Sequence, residues 1–367
     1  MTLHIDVHVL QSVPPSNLNR DDTGSPKTAT YGGVRRARVS SQAWKRATRR
    51  DFSHFLQADR LGVRTKRAVE LLATRIKTLA PLDDAAATAL AQAALLAAGL
   101  KVKPGRKAKD GDQPLTEYLV FFSHLQLDRL AEVALASPEK VDPKAAKAAL
   151  RAEHSVDVAL FGRMVADDAN LNVDAACQVA HALSTHAVAT EFDYYTAVDD
   201  QNPAEETGAG MIGTIEFDSA TLYRYATINV DALNRNLGDG ESTARAVEAF
   251  VKSFATSMPT GKQNTFANRT VPDAVVVMVR EGRPVNLVGA FEEPVRGRSG
   301  YVAASCEALA SYAADVDAAF GGAPTDTWVA RVGRRTDSLA PLGEAMAFDE
   351  LVRRVGERTR AVATEQP

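Results

Sequence analysis

The sequence predicts an α+β fold, a sandwich of the ferredoxin-like kind that carries a helical insertion. Strand-like runs separated by helical patterns predict the mixed class, with strands expected at 3–9, 222–230, 274–280, 285–291 and 327–332. The stretch from 59 to 158 is rich in Ala and Leu with helical periodicity, which predicts the insertion. Its helices are expected near 64–80, 83–98, 115–135 and 143–160. Other helices are expected near 174–189, 241–257, 301–318 and 348–363.

The composition is that of an ordinary soluble globular protein, with 367 residues of which 45% are hydrophobic and 24% charged. This length favours two domains, or one domain with large insertions. No run of about 18 apolar residues occurs and the N-terminus lacks a signal core, so we expect a cytoplasmic protein without a membrane segment. Cys177 and Cys306 lack metal-ligand spacing, which predicts two buried thiols with neither a disulfide nor a zinc site.

The N-terminal region contains the first candidate functional segment. Apolar and polar residues alternate from Leu3 to Val9, which predicts a half-buried strand. The Pro-, Asn-, Asp- and Gly-rich stretch from 11 to 33 is too long for a simple connector. Loops of this length without structure of their own usually bind something, so we expect function here.

A basic helix is predicted directly after this loop. Ser40 or Ser41 can cap it, and it is expected to run to about residue 57. The side chains expected to face a core are Trp44, Ala47, Phe55 and Leu56. Basic side chains four residues apart form a stripe, made of Lys45 with Arg49 and Arg46 with Arg50. We place this stripe at the start of the helix, where free backbone N–H groups and the positive dipole end also attract phosphates.

The charge distribution predicts one basic surface on an otherwise acidic chain. The net charge is −3, yet residues 1–50 contain nine Lys and Arg against three acids, which is nine minus three, or +6. Residues 190–218 contain eight acids and no basic residue. Such asymmetry is typical of a nucleic-acid groove, and a solvated basic helix face explains it equally well. Both interpretations stay open on charge alone.

Catalytic chemistry finds little support. His181 and His186 are five residues apart on a predicted helix, and Cys177 precedes His181 by four in an Ala-rich packing stretch. Neither spacing favours a metal pair or a nucleophile with its base. The TGK at 260–262 lacks the glycine and hydroxyl residues of a phosphate-binding loop.

Two acidic pairs are the more serious catalytic candidates. Adjacent carboxylates at Asp21–Asp22 and Asp199–Asp200 can hold magnesium for phosphodiester cleavage. Both pairs lie in loops where acids also cap turns, and the turn role is favoured. We therefore predict no catalytic residue, no metal and no cofactor.

A pair of aromatic residues favours binding instead. Tyr194 and Tyr195 lie in the polar stretch EFDYYTAVDD, where rings can stack on bases, wedge between them, or pack on the protein body. The surrounding acids repel phosphates, so this arm is expected to act by insertion. No RRM signature occurs, and RNA is therefore not expected on an ordinary RRM sheet face.

Several motifs together resemble a known family. NLNRDD (17–22) and YGGVRRARVSSQAWKRATRR (31–50) are similar to the N-terminal signature of the CasC (Cse-four) subunit of the type I-E CRISPR Cascade complex. Further similar motifs follow in order, namely VDVALFGRM (156–164), VDAACQVAHALSTH (173–186), DYYTAVDD (193–200), YRYATINV (223–230) and PTGKQNT (259–265). The resemblance covers nearly the whole chain, apart from the helical insertion and the C-terminal fifth, which match only loosely.

The resemblance implies a modified RRM-like palm at 1–58, 159–190 and 219–367, a helical fingers insertion at 59–158 and an extended thumb arm at 191–218. It implies copies stacked head to tail along a guide crRNA that pairs with target DNA, together with other Cascade subunits and without catalysis. The palm residues implied to bind the guide's phosphates are Arg20, Lys27, Gln42, Lys45, Arg46, Arg49 and Lys262. The residues implied to pack where a neighbouring thumb displaces a base are Met164, Tyr194 and Tyr195.

Two alternatives stay open beside this interpretation. The first is a metal-dependent endoribonuclease, as in the related backbone subunits of type III complexes, with Asp21, Asp22 or Asp199 holding the ion. The second is a purely structural filament protein without RNA contact.

Overall fold

The computed structural model describes residues 2–104, 114–166, 168–197, 211–297 and 299–365. The chain divides into two compact units. The first unit comprises Met1–Asp51, Val179–Thr227 and Phe250–Arg358. The second unit comprises Phe52–Gln178, Ile228–Ala249 and Thr359–Pro367. Both contain strands and helices, so the predicted α+β class is confirmed.

In the described residues, the strands are β1 (Leu3–Ser16), β2 (Thr28–Tyr31), β3 (Val34–Val39), β4 (Gly62–Thr65), β5 (Val102–Lys103), β6 (Leu115–Thr116), β7 (Val120–Ser123), β8 (Cys177–Val179), β9 (Ala182–Ser184), β10 (Glu191–Ala197), β11 (Met211–Asn229), β12 (Ala274–Glu281), β13 (Asp326–Arg331) and β14 (Glu344–Ala345). The helices are α1 (Ser41–Asp51), α2 (Ala68–Leu79), α3 (Asp84–Ala97), α4 (His124–Ala136), α5 (Pro143–Arg151), α6 (Val156–Phe161), α7 (Val230–Leu237), α8 (Gly240–Thr256), α9 (Gln263–Phe266), α10 (Val302–Phe320) and α11 (Phe348–Glu365). The helices predicted near 241–257, 301–318 and 348–363 are thereby confirmed as α8, α10 and α11.

A mixed sheet organises the first unit. Its strand order is β14-β13-β12-β1-β11-β9-β3-β2, and β8 and β10 also pair with β11. β1 and β12 run antiparallel, from Leu3 opposite Glu281 to Leu10 opposite Ala274. The strands predicted at 3–9, 222–230, 274–280 and 327–332 are confirmed by β1, β11, β12 and β13.

The strand predicted at 285–291 is wrong, because this segment contains a 3-10 helix at Leu287–Phe291. The Asn286 side-chain oxygen accepts a hydrogen bond from the Val288 N–H at 3.0 Å, which starts the helical turn. Leu287 and Phe291 are buried in the same core cluster as the apolar side of α10. Their spacing of four therefore marks one side of a helical turn.

β1 is buried on both faces, whereas the alternation predicted a half-buried strand. His4, Asp6 and His8 are 8%, 0% and 1% exposed. Their partners come from distant parts of the chain, since the Tyr225 hydroxyl donates to Asp6 Oδ1 and the Tyr223 hydroxyl bonds His8 Nδ1, both at 2.9 Å. Burial raises the pKa of Asp6 and lowers the pKa of His8 to about 3. The polar residues of β1 are thus core residues.

The helix predicted at 174–189 is also wrong. This segment forms β8 and β9, and β9 lies between β3 and β11 in the sheet. Ala182 pairs with Val39 of β3, and Ser184 pairs with Leu222 of β11. The strands on both sides provide hydrogen bonds for β9, and this tertiary pairing overrides the helical propensity of an Ala-rich sequence.

The predicted basic helix exists as α1 but is shorter than expected. It ends at Asp51, before the predicted end at about residue 57. Trp44 is fully buried as predicted, whereas Phe55 is 41% exposed and Phe52 occupies a core position instead. The preceding loop is shorter as well, because β1 extends to Ser16 and β2 begins inside the stretch predicted as loop.

Helices α2 to α5 pack around the core of the second unit, which includes Leu72, Leu95 and Leu130. The Asp83 side chain caps α3, and Ser123 caps α4 through a reciprocal capping box. The insertion helices predicted near 64–80 and 83–98 are confirmed as α2 and α3. The single helix predicted at 143–160 is instead two helices, because α5 ends at Arg151 and α6 begins at Val156. The one predicted at 115–135 begins only at α4, because β6 and β7 precede it and β7 pairs with β4.

Cys177 and Cys306 are buried and form no disulfide with one another, as predicted. In the part of the chain that the structure describes, no helix has the length and apolar character needed to cross a bilayer.

Candidate nucleic-acid interface

A cleft in the first unit collects cations from separate segments. It has a volume of about 610 Å³ and is lined by the loop 18–24, one side of α1 and the segment 258–261. Arg20 enters from the loop, and Arg46 and Arg50 enter from α1. All three side chains are exposed. The small residues Ala43 and Ala47 also line the cleft, so a polymer backbone can approach the helix closely.

The other predicted residues of α1 lie on the neighbouring side of the helix. Successive helical residues are about 100° apart, which places Gln42, Lys45 and Arg49 beside Arg46 and Arg50 on one continuous arc. Gln42 is exposed, and Lys45 and Arg49 are half-buried. The predicted basic stripe is therefore a broad basic side of α1, and only one edge of it faces the cleft.

This basic arc does not coincide with the positive end of the helix, which corrects the sequence prediction. The last two arginines lie in the final turn of α1, where cations offset the negative end of the dipole. Amides of the first turn are used within the protein. The Ser41 N–H donates to His181 Nδ1 at 3.0 Å, and the Ala43 N–H donates to Ser40 Oγ at 3.3 Å. A ligand at this arc would therefore meet side chains and not the positive end of the helix dipole.

Two asparagines hold the loop that carries Arg20. The buried Asn17 amide donates to the backbone oxygen of Gly24 at 3.0 Å, which closes the loop. The Asn19 side-chain oxygen accepts the Ser40 N–H at 2.9 Å, which ties the loop to the start of α1. These bonds fix the position of Arg20 relative to the basic side of α1.

The segment 258–261, which forms the third wall of the cleft, meets this loop at Gly261. A Cβ at this position would lie 2.2 Å from the Leu18 backbone oxygen, so the contact requires glycine. Lys262 follows in the left-handed region with a φ of 49°, which costs a non-glycine residue about 1 kcal/mol or more. Strained residues of this kind cluster at ligand sites. The predicted binding residue Lys262 is thus the immediate neighbour of a residue that lines the cleft.

A smaller pocket beside the cleft contains Lys27. Asn19 lines both depressions, and Arg38 lines the smaller one. Burial lowers the pKa of His181, and so do the nearby cations Arg38 and Lys27. A neutral His181 can accept the Ser41 N–H, as observed. The basic surface therefore continues from the cleft past the start of α1.

The residues considered for catalysis from their spacing have structural surroundings. Cys177 is buried on β8. The Thr221 N–H donates to His186 Nε2 at 3.1 Å, and the His186 ring stacks on Tyr301 with centroids 3.6 Å apart. His181, on the chain between β8 and β9, supports α1 as described above. These three residues hold the fold together.

Asp21 caps the turn at the tip of the loop. Its Oδ1 accepts hydrogen bonds from the Thr23 hydroxyl at 2.7 Å, the Thr23 N–H at 2.9 Å and the Ser25 N–H at 3.1 Å. These bonds, that of the Thr23 hydroxyl above all, lower the pKa of Asp21. Asp22 lines the cleft. Within the described ranges, no group of three or more His, Cys, Asp or Glu is placed to hold a metal ion, and Asp199–Asp200 lies outside those ranges.

The two predicted tyrosines lie on a hairpin formed by β10 and β11. Tyr195 is 38% exposed and pairs with Gly213, and a Cβ at this glycine would lie 2.5 Å from the Tyr195 hydroxyl oxygen. The ring therefore covers the glycine. Tyr194 is 64% exposed on the opposite face together with Phe192, which is 66% exposed. Phe192 was not singled out from the sequence, although its spacing of two residues from Tyr194 places both side chains on the same face of a strand. Residues 198–210 of the predicted arm lie outside the described residues.

Met164 belongs to the second unit and is 83% exposed. It lines a small pocket together with Tyr118 and Leu119, which are each 48% exposed. The preceding Arg163 is buried and donates from Nε to the Leu171 backbone oxygen at 2.8 Å, which anchors the chain. The sequence indicated only one member of this apolar patch.

α1 packs on a buried arginine that sequence reasoning also missed. Arg224 on β11 is 1% exposed, and its guanidinium carbon lies 3.7 Å from the centroid of the Trp44 ring. The guanidinium donates to Gln11 Oε1 at 2.6 Å and to the Phe254 backbone oxygen. Burial lowers the pKa of Arg224 to about 9, so it stays charged at neutral pH. An arginine in the middle of an apolar strand was the signal for a buried, bonded cation.

Comparisons with known proteins agree over almost the whole chain. A family model described as "CT1975-like protein" matches residues 5–354. A solved structure described as "CRISPR RNA-guided surveillance complex, pre-nicking" contains a chain with 35% identity and a TM-score of 0.86, covering 97% of this chain and 100% of that one. A second, described as "CRISPR RNA-guided surveillance complex", contains a chain with 31% identity and a TM-score of 0.76, covering 97% of this chain and 99% of that one. A comparison with curated protein sequences finds no match.

Proposed function

Because this chain belongs to the CT1975-like protein family, we propose that it is the non-catalytic, guide-RNA-binding backbone subunit of a type I-E CRISPR Cascade complex. Its homologues of known structure are chains of CRISPR RNA-guided surveillance complexes, which supports a role in CRISPR antiviral defence. In this proposal, residues 1–58, 159–190 and 219–367 form an RRM-like palm, residues 59–158 the fingers and residues 191–218 the thumb arm.

One observation carries the proposal, namely the convergence of cations on the cleft. Arg20 and the two arginines of α1 come from separate segments, and Lys262 directly follows the third wall. This concentration occurs in a chain whose net charge is −3. Local positive charge on an acidic protein is the electrostatic footprint expected for a phosphate backbone. The predicted residues Lys27, Gln42, Lys45 and Arg49 extend the same surface.

In the proposed binding mode, the protein contacts the phosphates of the guide and leaves its bases free to pair. A protein that contacts phosphates and sugars accepts any guide sequence, and base pairing with the target DNA then supplies the specificity. Copies of the subunit would stack head to tail along the crRNA and repeat these phosphate contacts, in the cytoplasm and beside other Cascade subunits. The hairpin, with its acids and its exposed Tyr194, is suited to wedging against bases and not to running along phosphates. Met164 would pack at the same displaced base.

A metal-dependent endoribonuclease is the alternative, with Asp21, Asp22 or Asp199 as the candidate ligands, of which Asp199 lies outside the described residues. The three hydrogen bonds accepted by Asp21 Oδ1 favour a turn-capping role for this carboxylate. Incubating the assembled complex with RNA complementary to the guide, in the presence of magnesium, separates the two functions. Periodic cleavage that is lost in Asp21→Ala or Asp22→Ala would establish the nuclease.

The test of the proposed function is binding of RNA irrespective of its sequence. We expect the purified protein to copurify with RNA, and after its removal to bind two unrelated single-stranded RNAs of equal length with equal affinity. The variant Lys45→Ala, Arg46→Ala, Arg49→Ala should bind both less tightly and by the same factor. Absence of copurified RNA together with no measurable binding would instead favour a purely structural filament protein.

A further inference from the structure

A second feature of the palm surface concerns Asp218 on β11. This carboxyl group is half-buried. Within the described ranges it has neither a hydrogen bond nor an ion pair, and Arg35 is the charged residue that acts on it from a distance. Burial raises the pKa of Asp218 to about 6, an effect that Arg35 opposes. Its oxygens are not among the enclosed side-chain atoms that lack a partner, so the carboxyl group remains accessible and can accept a hydrogen bond from a group that enters the adjoining pocket.

Asp218 lines the small pocket that adjoins the cleft. The pocket has a volume of about 20 Å³, and its polar lining also includes Ser16, Asn19, Lys27 and Arg38. A site of at least about 10–15 Å³ can accept one water-sized group. The pocket can thus hold a hydroxyl group, whereas it is too small for a base or a phosphate.

The position of the pocket connects it with the bound polymer. It shares Leu18 and Asn19 with the arginine-lined cleft, and Lys27 and Arg38 stand at its side. Because sugars alternate with phosphates along a strand, a chain whose phosphates contacted these cations would present its sugars to the same surface. The donor that a sugar offers in RNA and lacks in DNA is the 2′-hydroxyl.

We propose that Asp218 accepts a hydrogen bond from a ribose 2′-hydroxyl of the bound strand and thereby makes this subunit select RNA over DNA. This inference rests on the proposed guide-RNA function and deepens it. Phosphate contacts alone do not distinguish ribose from deoxyribose, so selection of RNA requires a group that contacts the 2′-hydroxyl.

The experiment compares three ligands of one sequence, namely RNA, 2′-O-methyl RNA and DNA. The methylated RNA retains the RNA-like sugar pucker and loses the hydroxyl donor. We expect the wild type to bind RNA at least about tenfold more tightly than either analogue, which is the effect of one hydrogen bond to a charged acceptor. Equal binding of RNA and 2′-O-methyl RNA by the wild type would overturn the inference without any variant.

Variants then assign the preference to one residue. In Asp218→Ala the RNA to 2′-O-methyl ratio should fall to about 1, and Asp218→Asn, which retains an acceptor oxygen, should keep part of it. Asp22→Ala is the matched control, because it removes an acid from the neighbouring cleft and should leave the ratio unchanged. A ratio that survives in Asp218→Ala, or that falls equally in Asp22→Ala, contradicts the role of Asp218. If the wild type binds none of the three ligands, the proposed function itself fails.

Discussion

The cleft predicts how much salt dependence RNA binding loses when its arginines are removed. Arg20, Arg46 and Arg50 all line it, so the variant Arg20→Ala, Arg46→Ala, Arg50→Ala removes up to three phosphate contacts. Each contact with a single strand contributes about −0.7 to the slope of log K against log salt concentration, so the slope should become shallower by about 2. Between about 50 and 200 mM salt, the wild type should therefore lose about 20-fold more affinity than the variant.

The assay is fluorescence anisotropy of a labelled single-stranded RNA over a salt series, with circular dichroism to verify folding. The matched control is Arg283→Ala, Arg334→Ala, Arg354→Ala, which changes the net charge equally, from −3 to −6 (−3 minus 3). These three arginines are exposed and lie outside the residues that line the cleft. The control should keep the wild-type slope. An unchanged slope in the cleft variant, or an equal change in both variants, would refute the assignment of phosphate contacts to this cleft.

Three further predictions concern the support of this surface. Gly261→Ala should lower the melting temperature and the RNA affinity together, because the added Cβ would lie 2.2 Å from the Leu18 oxygen. The control Gly240→Ala, whose Cβ would meet no atom closer than 3.3 Å, should leave RNA affinity unchanged. Arg224→Met should lower the free energy of unfolding in a urea titration by about 2–4 kcal/mol, since its buried acceptors lose their donor, and a loss below about 1 kcal/mol would contradict this. Burial raises the pKa of Asp218 from 3.8 to about 6, so the folded state binds the proton of this carboxyl group more tightly than the unfolded state does. The wild type therefore loses stability as the pH rises from about 4 through about 6. Asp218→Asn should therefore match the melting temperature of the wild type near pH 4 and exceed it near pH 8, and identical differences at both pH values would disprove the titration.

Sequence patterns predicted the fold best where a long apolar pattern in the local chain decides the structure. The apolar periodicity of α8, α10 and α11 and the β-branched run of β12 carry their own signal, and these elements lie where they were expected. The Ala-rich segment 174–189 carries no such local signal, because its strands form only by pairing with β3 and β11. The burial of Asp6 could not be predicted either, since its donor Tyr225 comes from far along the chain.

The candidate site likewise combines features that the sequence predicted with features that depend on tertiary contacts. The order of the motifs predicted a likeness to a subunit of a CRISPR surveillance complex, and the family and structural matches confirm it. Arg20 and Arg46 were singled out separately, but the cleft that unites them depends on the hydrogen bond from the Ser40 N–H to Asn19. The close contact of Gly261 with Leu18 is a tertiary feature with no local signal. The role of each predicted residue in RNA binding stays a prediction.

The way in which the protein uses its backbone groups explains why side chains carry the binding in the proposed function. The amides of Ser40, Ser41 and Ala43 at the start of α1 donate to Asn19, to His181 and to a serine hydroxyl. These donors fix the helix and leave its long arginine and lysine side chains as the groups that reach a ligand. Such side chains can follow a phosphate through small changes in local geometry, which fixed backbone amides cannot do. A surface built in this manner suits a strand of arbitrary sequence, and its affinity should consequently depend more steeply on salt than on the identity of the bases.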